Sequence, residues 1–363
     1  MAFLQRGARR AFCATGRQVS LPVLDLSPFM SSSSSALQRQ EAARSLDDAC
    51  SSVGFFYLEG HGVPTQEIQQ LHRLAKRFFA LPESVKESIA MSSQPAQGRG
   101  YQRLGENVTL NQRDWQEAID FFAPIHSKEV NLNAFAAEPA RMRDEEIEKL
   151  QQFMDAPNVW PNQPAEFRAS AEAYFSKVSR VGDALMQAMA LGLGLPQDFF
   201  DHLTNQSFWC VRVIGYPALR QGAVGLSCGE HTDYGCWTIL AQDETPDALE
   251  VQLSGGSWAK VPPRAGAFVV NLGDMLSVWT KGRYKATRHR VRQTKGDFRT
   301  SIAFFYEPNF DAVIRPLDVA PPLGKPHPCE GSTAPLARGL AGGELIYGEH
   351  LFAKVSSNFD FGA

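Results

Sequence analysis

From Trp209 onward the chain is a succession of short apolar runs, each closed by turn-forming residues. WCVRVIGYP, WTILAQD, LEVQL, AFVVNL, MLSVW, ATRHRVRQ and FRTSIAFFYEP follow one another, rich in β-branched and aromatic side chains. Regular short strands separated by turns point to a sandwich or barrel, and a jelly roll is the natural closed form.

The first half has a different texture. Leu21–Ser27 alternates apolar and polar residues and reads as a short strand. Ser35-Ala36-Leu37-Gln38 is a capping box. It opens a helix through about Ser52, with Leu37, Ala43, Leu46, Cys50 and Val53 turned inward. Gly54–Leu58 reads as a strand. Thr65–Phe79 carries Ile68, Leu71, Leu74, Phe78 and Phe79 at helical spacing, and a long helix from Phe167 to Leu191 begins near Pro164. Asp311–Gly343 is rich in Pro and Gly and reads as a surface loop; Glu344–Phe359 reads as a last short helix. No linker cuts the chain in two, so the expected fold class is α+β, a helical N-terminal half supporting a β C-terminal half.

With 363 residues, 44% of them hydrophobic, the chain can bury a large core. Lys and Arg number 36 against 39 Asp and Glu, so no overall positive field gathers nucleic acid. No apolar run approaches the ~18 residues of a membrane span. The six cysteines, Cys13, Cys50, Cys210, Cys228, Cys236 and Cys329, form no C-x-x-C pair and read as reduced, intracellular thiols that fill apolar space. Between Met1 and Leu24 stand Arg6, Arg9, Arg10 and Arg17 and no acid, with Leu4, Ala8, Ala11 and Phe12 on one side of a helix. That is the pattern of an organelle-import leader. The expected division is a candidate targeting leader at 1–20, a mainly helical region with edge strands at 21–205, a jelly-roll core at 206–310 and a loop and helix at 311–363. The expected compartment is the mitochondrion or another organelle if the leader acts, and the cytoplasm if it does not.

The chemistry is concentrated in two short motifs. In His231-Thr232-Asp233, residues two apart on a strand project to one face, so an imidazole and a carboxylate converge. His289 is the best candidate for a third ligand. Two histidines and one carboxylate leave open positions on a metal, the arrangement of non-heme Fe(II) centres that activate dioxygen. Ten residues after His289, Arg299-Thr300-Ser301 repeats the spacing with a guanidinium fork and a hydroxyl, a clamp for a carboxylate. For both motifs to face one site, the expectation is a hairpin from His289 to Ser301. A three-residue loop, Lys295-Gly296-Asp297, would pair His289 with Ala303 and Val291 with Ser301.

With these motifs in hand, the sequence resembles the iron(II)- and 2-oxoglutarate-dependent oxygenases of the isopenicillin N synthase-like type. The likeness runs from LPVLDLSPF and GFFYLEGHGVP through GEHTDYGCWTIL, GRYKATRHRV and FRTSIAFFYEPNF to YGEHLFAKVSSNF. It implies a double-stranded β-helix (jelly-roll) core with N-terminal helices packed around it. It further implies iron on His231, Asp233 and His289, and 2-oxoglutarate on Arg299 and Ser301 with help from Tyr216. Where many plant members carry an asparagine two residues before that tyrosine, Ile214 stands here. The implied activity is oxidation, by default hydroxylation, of a small organic molecule, using O2 and coupled to decarboxylation of 2-oxoglutarate to succinate and CO2. The synthase itself shares the arginine and serine without using 2-oxoglutarate, so an iron oxidase of the same fold stays open, as does a non-catalytic binding protein. His61, His327 and His350 are expected to be structural, as are Phe55 and Phe56, while Phe304 or Phe305 could reach the substrate side. Arg99, Tyr101 and Arg103 lie in a polar, Gly-rich loop placed to cover the barrel mouth.

Overall fold

Alternation along the strands sorts the molecule into layers. Along Phe298–Tyr306, the residues Ile302, Phe304 and Tyr306 join a hydrophobic cluster with the helices. Arg299 points the other way, over the ring of Tyr216, as a period of two requires. Neighbouring strands split likewise: Val211 and Val213 against Ile214 and Tyr216, Val270 and Leu272 against Val269, Phe56 and Leu58 against Phe55 and Tyr57. This computed structural model describes residues 21–91, 98–109, 112–137, 141–219, 226–253, 255–294, 296, 298–319 and 344–358. The basic segment 1–20, most of the Pro-rich loop, Cys13, Cys329 and His327 lie outside the described residues.

The strands build an eight-stranded sheet in the order 23–25, 55–59, 268–272, 237–242, 298–306, 210–217, 117–122 and 100–102. Its first pair is parallel and the others antiparallel. A four-stranded antiparallel sheet, in the order 258–260, 249–252, 289–291 and 228–231, faces it. Leu249, Val251 and Val291 from the smaller sheet meet Phe55, Tyr57, Ile214, Tyr216 and Val269 from the larger. This is the double-stranded β-helix. The N-terminal half does more than support it, for four of the eight strands precede residue 205.

Helices cover the outer face of the large sheet. Ala36–Ser52 starts at the capping box, where Ser35 Oγ accepts from the Gln38 N–H at 3.3 Å and Gln38 Oε1 from the Ser35 N–H at 2.8 Å. Thr65–Phe79 buries Ile68, Leu71, Leu74, Ala75 and Phe78 in one stripe, and each large apolar side chain so buried contributes about 1.5–3 kcal/mol. Phe167–Gly192 lies close on the sheet because Gly182 has no side chain: a Cβ there would sit 1.9 Å from the Tyr306 ring. Among the described residues, no helix is long and apolar enough to cross a membrane.

Three local expectations fail. Leu37 is 65% exposed, because the first turn of its helix projects past the body of the domain. MLSVW is no strand: Asp274–Trp279 is a short helix that buries Met275, Leu276, Val278 and Trp279. An apolar run of that length fits either state, and Gly273 turns the chain out of the preceding strand. Third, His289–Val291 and Phe298–Tyr306 do not form a hairpin. The first pairs with 249–252 and 228–231 in the small sheet, the second with 210–217 and 237–242 in the large one.

Candidate active site

His231 is the last residue of Cys228–His231, and Asp233 lies two residues on, in the loop beyond it. The pair therefore converges by a strand-to-loop turn and not, as expected, along one strand face. His289 opens its strand directly opposite His231, and their ring centres are 4.2 Å apart. Asp233 Oδ1 stands 3.5 Å from His231 Nε2 and 3.7 Å from His289 Nε2. One nitrogen or oxygen from each side chain falls within 4.8 Å of the others, close enough for all three to hold one ion.

The surroundings fix which atoms are offered. His231 Nδ1 lies 2.8 Å from the Gly229 carbonyl and His289 Nδ1 3.2 Å from the Thr287 carbonyl. A carbonyl can only accept, so each Nδ1 carries a hydrogen and Nε2 is the nitrogen each ring turns toward a metal. Asp233 Oδ2 accepts from Thr238 Oγ1 and, at 2.7 Å, from Asn271 Nδ2, which leaves Oδ1 free. Burial and the adjacent His231 push the His289 imidazole down to about 4, and Phe55 packs edge-on against its ring. Burial alone would raise the Asp233 carboxyl, but the two histidines and Thr238 hold it well below the usual carboxylate range. A neutral imidazole and an ionised carboxylate are the forms a metal takes.

The expected clamp residues stand on the large sheet. Arg299 is cross-strand partner to Tyr216, and Ser301 to Ile214 and Gln242. All three expected groups are buried: Arg299 is 0% exposed, Ser301 1% and Tyr216 2%. Arg299 donates from Nη2 to Gln242 Oε1 at 3.1 Å, while its Nε and Nη1 have no partner among the described residues. Burial pushes the Tyr216 hydroxyl up to about 12, so it stays a donor. Behind the strand, Thr300 accepts or donates at His72 Nδ1 (2.9 Å), and its backbone N–H donates to Asp243. His289 and Arg299 thus project into the same interior from facing sheets, without the hairpin.

A cavity of about 350 Å³ opens beside His231 and Asp233. Asn107, Val108 and Thr109, strand residues Asp120 and Arg212, Phe305, Glu307, Arg288, and Leu351, Lys354 and Val355 of the C-terminal helix line it. Phe305 reaches it; Phe304 is fully buried in the outer core. Arg99, Tyr101 and Arg103 do not line the cavity, although Asn107, Val108 and Thr109 of the same stretch do. Arg99 is buried between the Phe122 and Phe153 rings and donates to the Phe153 carbonyl at 2.6 Å. Tyr101 belongs to the 100–102 strand and bonds Glu117 at 2.6 Å, and Arg103 pairs with Glu87 and Glu106. His61 is structural, bonded to the Gly266 carbonyl and the Val63 N–H. Sequence reasoning missed Thr238, Asn271 and Glu307. The available signal was a polar residue inside or abutting an apolar run, as in VVNL and FFYE.

Comparison with known proteins agrees with this architecture. Residues 21–163 match the family model described as non-haem dioxygenase in morphine synthesis N-terminal, and residues 201–308 match that of the 2OG-Fe(II) oxygenase superfamily. The chain is similar to homoarginine-6-hydroxylase 2-ODD-233 of Oryza sativa subsp. japonica, 37% identical over 350 residues that cover 94% of this chain and 98% of the relative. It is also similar to clavatol oxidase claD of Penicillium crustosum, 35% identical over 309 residues, 82% of this chain and 88% of the relative. A full-length Neurospora crassa protein, solved in complex with alpha-KG and thymine, superposes with a TM-score of 0.72 at 22% identity, covering 95% of this chain and 99% of that one. The chain belongs to the 2-oxoglutarate- and Fe(II)-dependent oxygenase superfamily, as an oxidoreductase that uses Fe(II), 2-oxoglutarate and O2 to hydroxylate a small organic molecule.

Proposed function

We propose that His231, Asp233 and His289 hold the Fe(II) through Nε2, Oδ1 and Nε2, and that Arg299, Ser301 and Tyr216 hold the far carboxylate of 2-oxoglutarate. One observation carries the reading: a fully buried arginine keeps two donor nitrogens idle, among the described residues, in the interior that the triad also faces. An unpaired buried donor costs about 1–3 kcal/mol, more when charged, and a carboxylate supplies the missing acceptors. When bound, the iron supplies the O2 chemistry that turns R–H, O2 and 2-oxoglutarate into R–OH, succinate and CO2. The protein's share is placement. Thr238 and Asn271 orient the Asp233 carboxylate, the Gly229 and Thr287 carbonyls orient the imidazoles, and the clamp sets the co-substrate's reach.

The cavity wall carries charged side chains of both signs, Glu307 and Arg288 among them, which suits a substrate that carries charge at both ends. Relatives from rice and soybean are named homoarginine-6-hydroxylases, and this lining suits a small ω-guanidino amino acid of that kind. Segment 1–20 is proposed as an import leader, which a reporter fused to Met1–Ser20 tests by where it goes.

Anaerobic titration of the Fe(II) protein with 2-oxoglutarate tests the site. The weak visible charge-transfer band of the chelate should appear in the parent and be lost in Asp233→Ala. No band in the parent, with iron bound, would refute the clamp and revive the oxidase reading.

A further inference from the structure

Most charges on the cavity wall are already matched. Arg212 grips Asp120 with two bonds of 2.7 and 2.6 Å, and Glu230 pairs with Arg290 at 3.1 Å. Two are not. Glu307 follows directly on the 298–306 strand and is 4% exposed; burial pushes its carboxyl up to about 8, and among the described residues its Oε2 has no hydrogen-bond partner. That oxygen occupies the space over Gly235, two residues beyond Asp233: a Cβ on Gly235 would lie 1.3 Å from it. The backbone is thus bare where the carboxylate sits beside the triad. Arg288, next to His289, is exposed, and among the described residues it has no ion-pair partner.

We propose that Glu307 and Arg288 read a substrate bearing a cationic nitrogen group at one end and a carboxylate at the other. The cationic end docks on Glu307 beside the triad, and Arg288 takes the carboxylate on the exposed side of the cavity. A planar guanidinium suits Glu307 best, since it presents parallel N–H donors to one carboxylate. The idle oxygen then gains the donor it lacks, and Arg288 its anion. The proposal rests on the iron and 2-oxoglutarate placement argued above and assigns specificity within that site.

The test is anaerobic calorimetry on protein loaded with Fe(II) and 2-oxoglutarate, using three probes. L-Homoarginine carries both ends, L-homocitrulline replaces the cation with a neutral urea, and 5-aminopentylguanidine lacks the carboxylate. Losing the buried contact to Glu307 should weaken binding roughly 30-fold or more, and losing the exposed contact to Arg288 about two- to five-fold. The parent should therefore prefer homoarginine over homocitrulline and over 5-aminopentylguanidine by those factors, respectively. Glu307→Gln should erase the preference over homocitrulline and keep that over 5-aminopentylguanidine, and Arg288→Gln should do the reverse. Equal binding of homoarginine and homocitrulline by the parent, no binding of either, or an undiminished preference in Glu307→Gln would overturn the proposal. The parent comparison needs no variant, so it decides the matter even if a substituted protein does not fold. The chelate band, recorded on each sample, separates this failure from that of the iron site: a band with no discrimination sinks the substrate reading alone.

Discussion

Arg299 responds to substitution in opposite ways depending on what it is for. Its Nη2 donates to Gln242 at 3.1 Å, its guanidinium carbon lies 4.9 Å from the centre of the Tyr216 ring, and Nε and Nη1 are idle. A buried charge with two unsatisfied donors is a net cost to the ligand-free fold. Arg299→Gln should therefore leave the unfolding free energy of the ligand-free protein within about 1 kcal/mol of the parent, or raise it. The same change removes a charge-assisted, two-pronged contact to 2-oxoglutarate, on the order of 2–5 kcal/mol, or roughly 30- to several-thousand-fold in affinity. Denaturant unfolding with and without 2-oxoglutarate separates the two effects. At 100 times the parent's Kd the ligand adds about 2.7 kcal/mol to the parent, an increment that should shrink to about 0.9 kcal/mol at a 30-fold loss and to near zero at a several-thousand-fold one. The apparent KM for 2-oxoglutarate should rise by the same factor while iron content holds. A ligand-free variant that loses several kcal/mol, yet keeps its ligand-induced increment, would make Arg299 a structural residue held by Tyr216 and Gln242 and refute the reasoning.

Three further outcomes follow from particular contacts. Asn271→Ala or Thr238→Val removes one of the two donors on Asp233 Oδ2 and should weaken Fe(II) binding about 10- to 100-fold, read by anaerobic metal titration; undiminished affinity would show that the loop alone positions the carboxylate. Gly235→Ala drives a methyl group into the Glu307 carboxylate, and overpacking of this kind should cost about 1–3 kcal/mol in unfolding free energy together with most of the activity; a parent-like variant would mean that Glu307 moves freely. Burial holds the His72 imidazole down to about 4 from an ordinary 6.5, so between those values the unfolded chain binds a proton the folded one refuses. The stability gained from neutral His72 is complete above about pH 6.5 and lost as pH falls toward 4, on the order of 3 kcal/mol. His72→Gln should flatten the pH dependence of unfolding in that window, and an unchanged slope would rule His72 out as its source.

Where local rules were enough, the sequence was readable. The capping box at Ser35, the 3.6-residue stripe of Thr65–Phe79 and the long periodic run after Phe167 each fixed a helix, because the signal lies within a few turns of chain. The spacings His-x-Asp and Arg-x-Ser found the side chains that meet in the interior. Leu37 and MLSVW failed for the complementary reason: a helix's first turn is buried only if something packs on it, and a five-residue apolar run is silent between strand and helix.

The hairpin expectation failed at a deeper level. Consecutive strands in a jelly roll need not be neighbours. From 228–231 the chain crosses to the large sheet at 237–242, returns for 249–252 and 258–260, crosses at 268–272, returns at 289–291 and crosses again at 298–306. His289 and Arg299 are close in sequence yet belong to different sheets, and they face one another because each is an inward position of its own strand. No pairwise spacing rule contains that crossing, since it depends on partners such as 249–252 and 210–217 that lie far back along the chain. The same crossings explain the cavity wall: Arg288 precedes the last strand of the small sheet and Glu307 follows the last strand of the large one. Chain positions nineteen apart are thereby brought to the wall of one cavity.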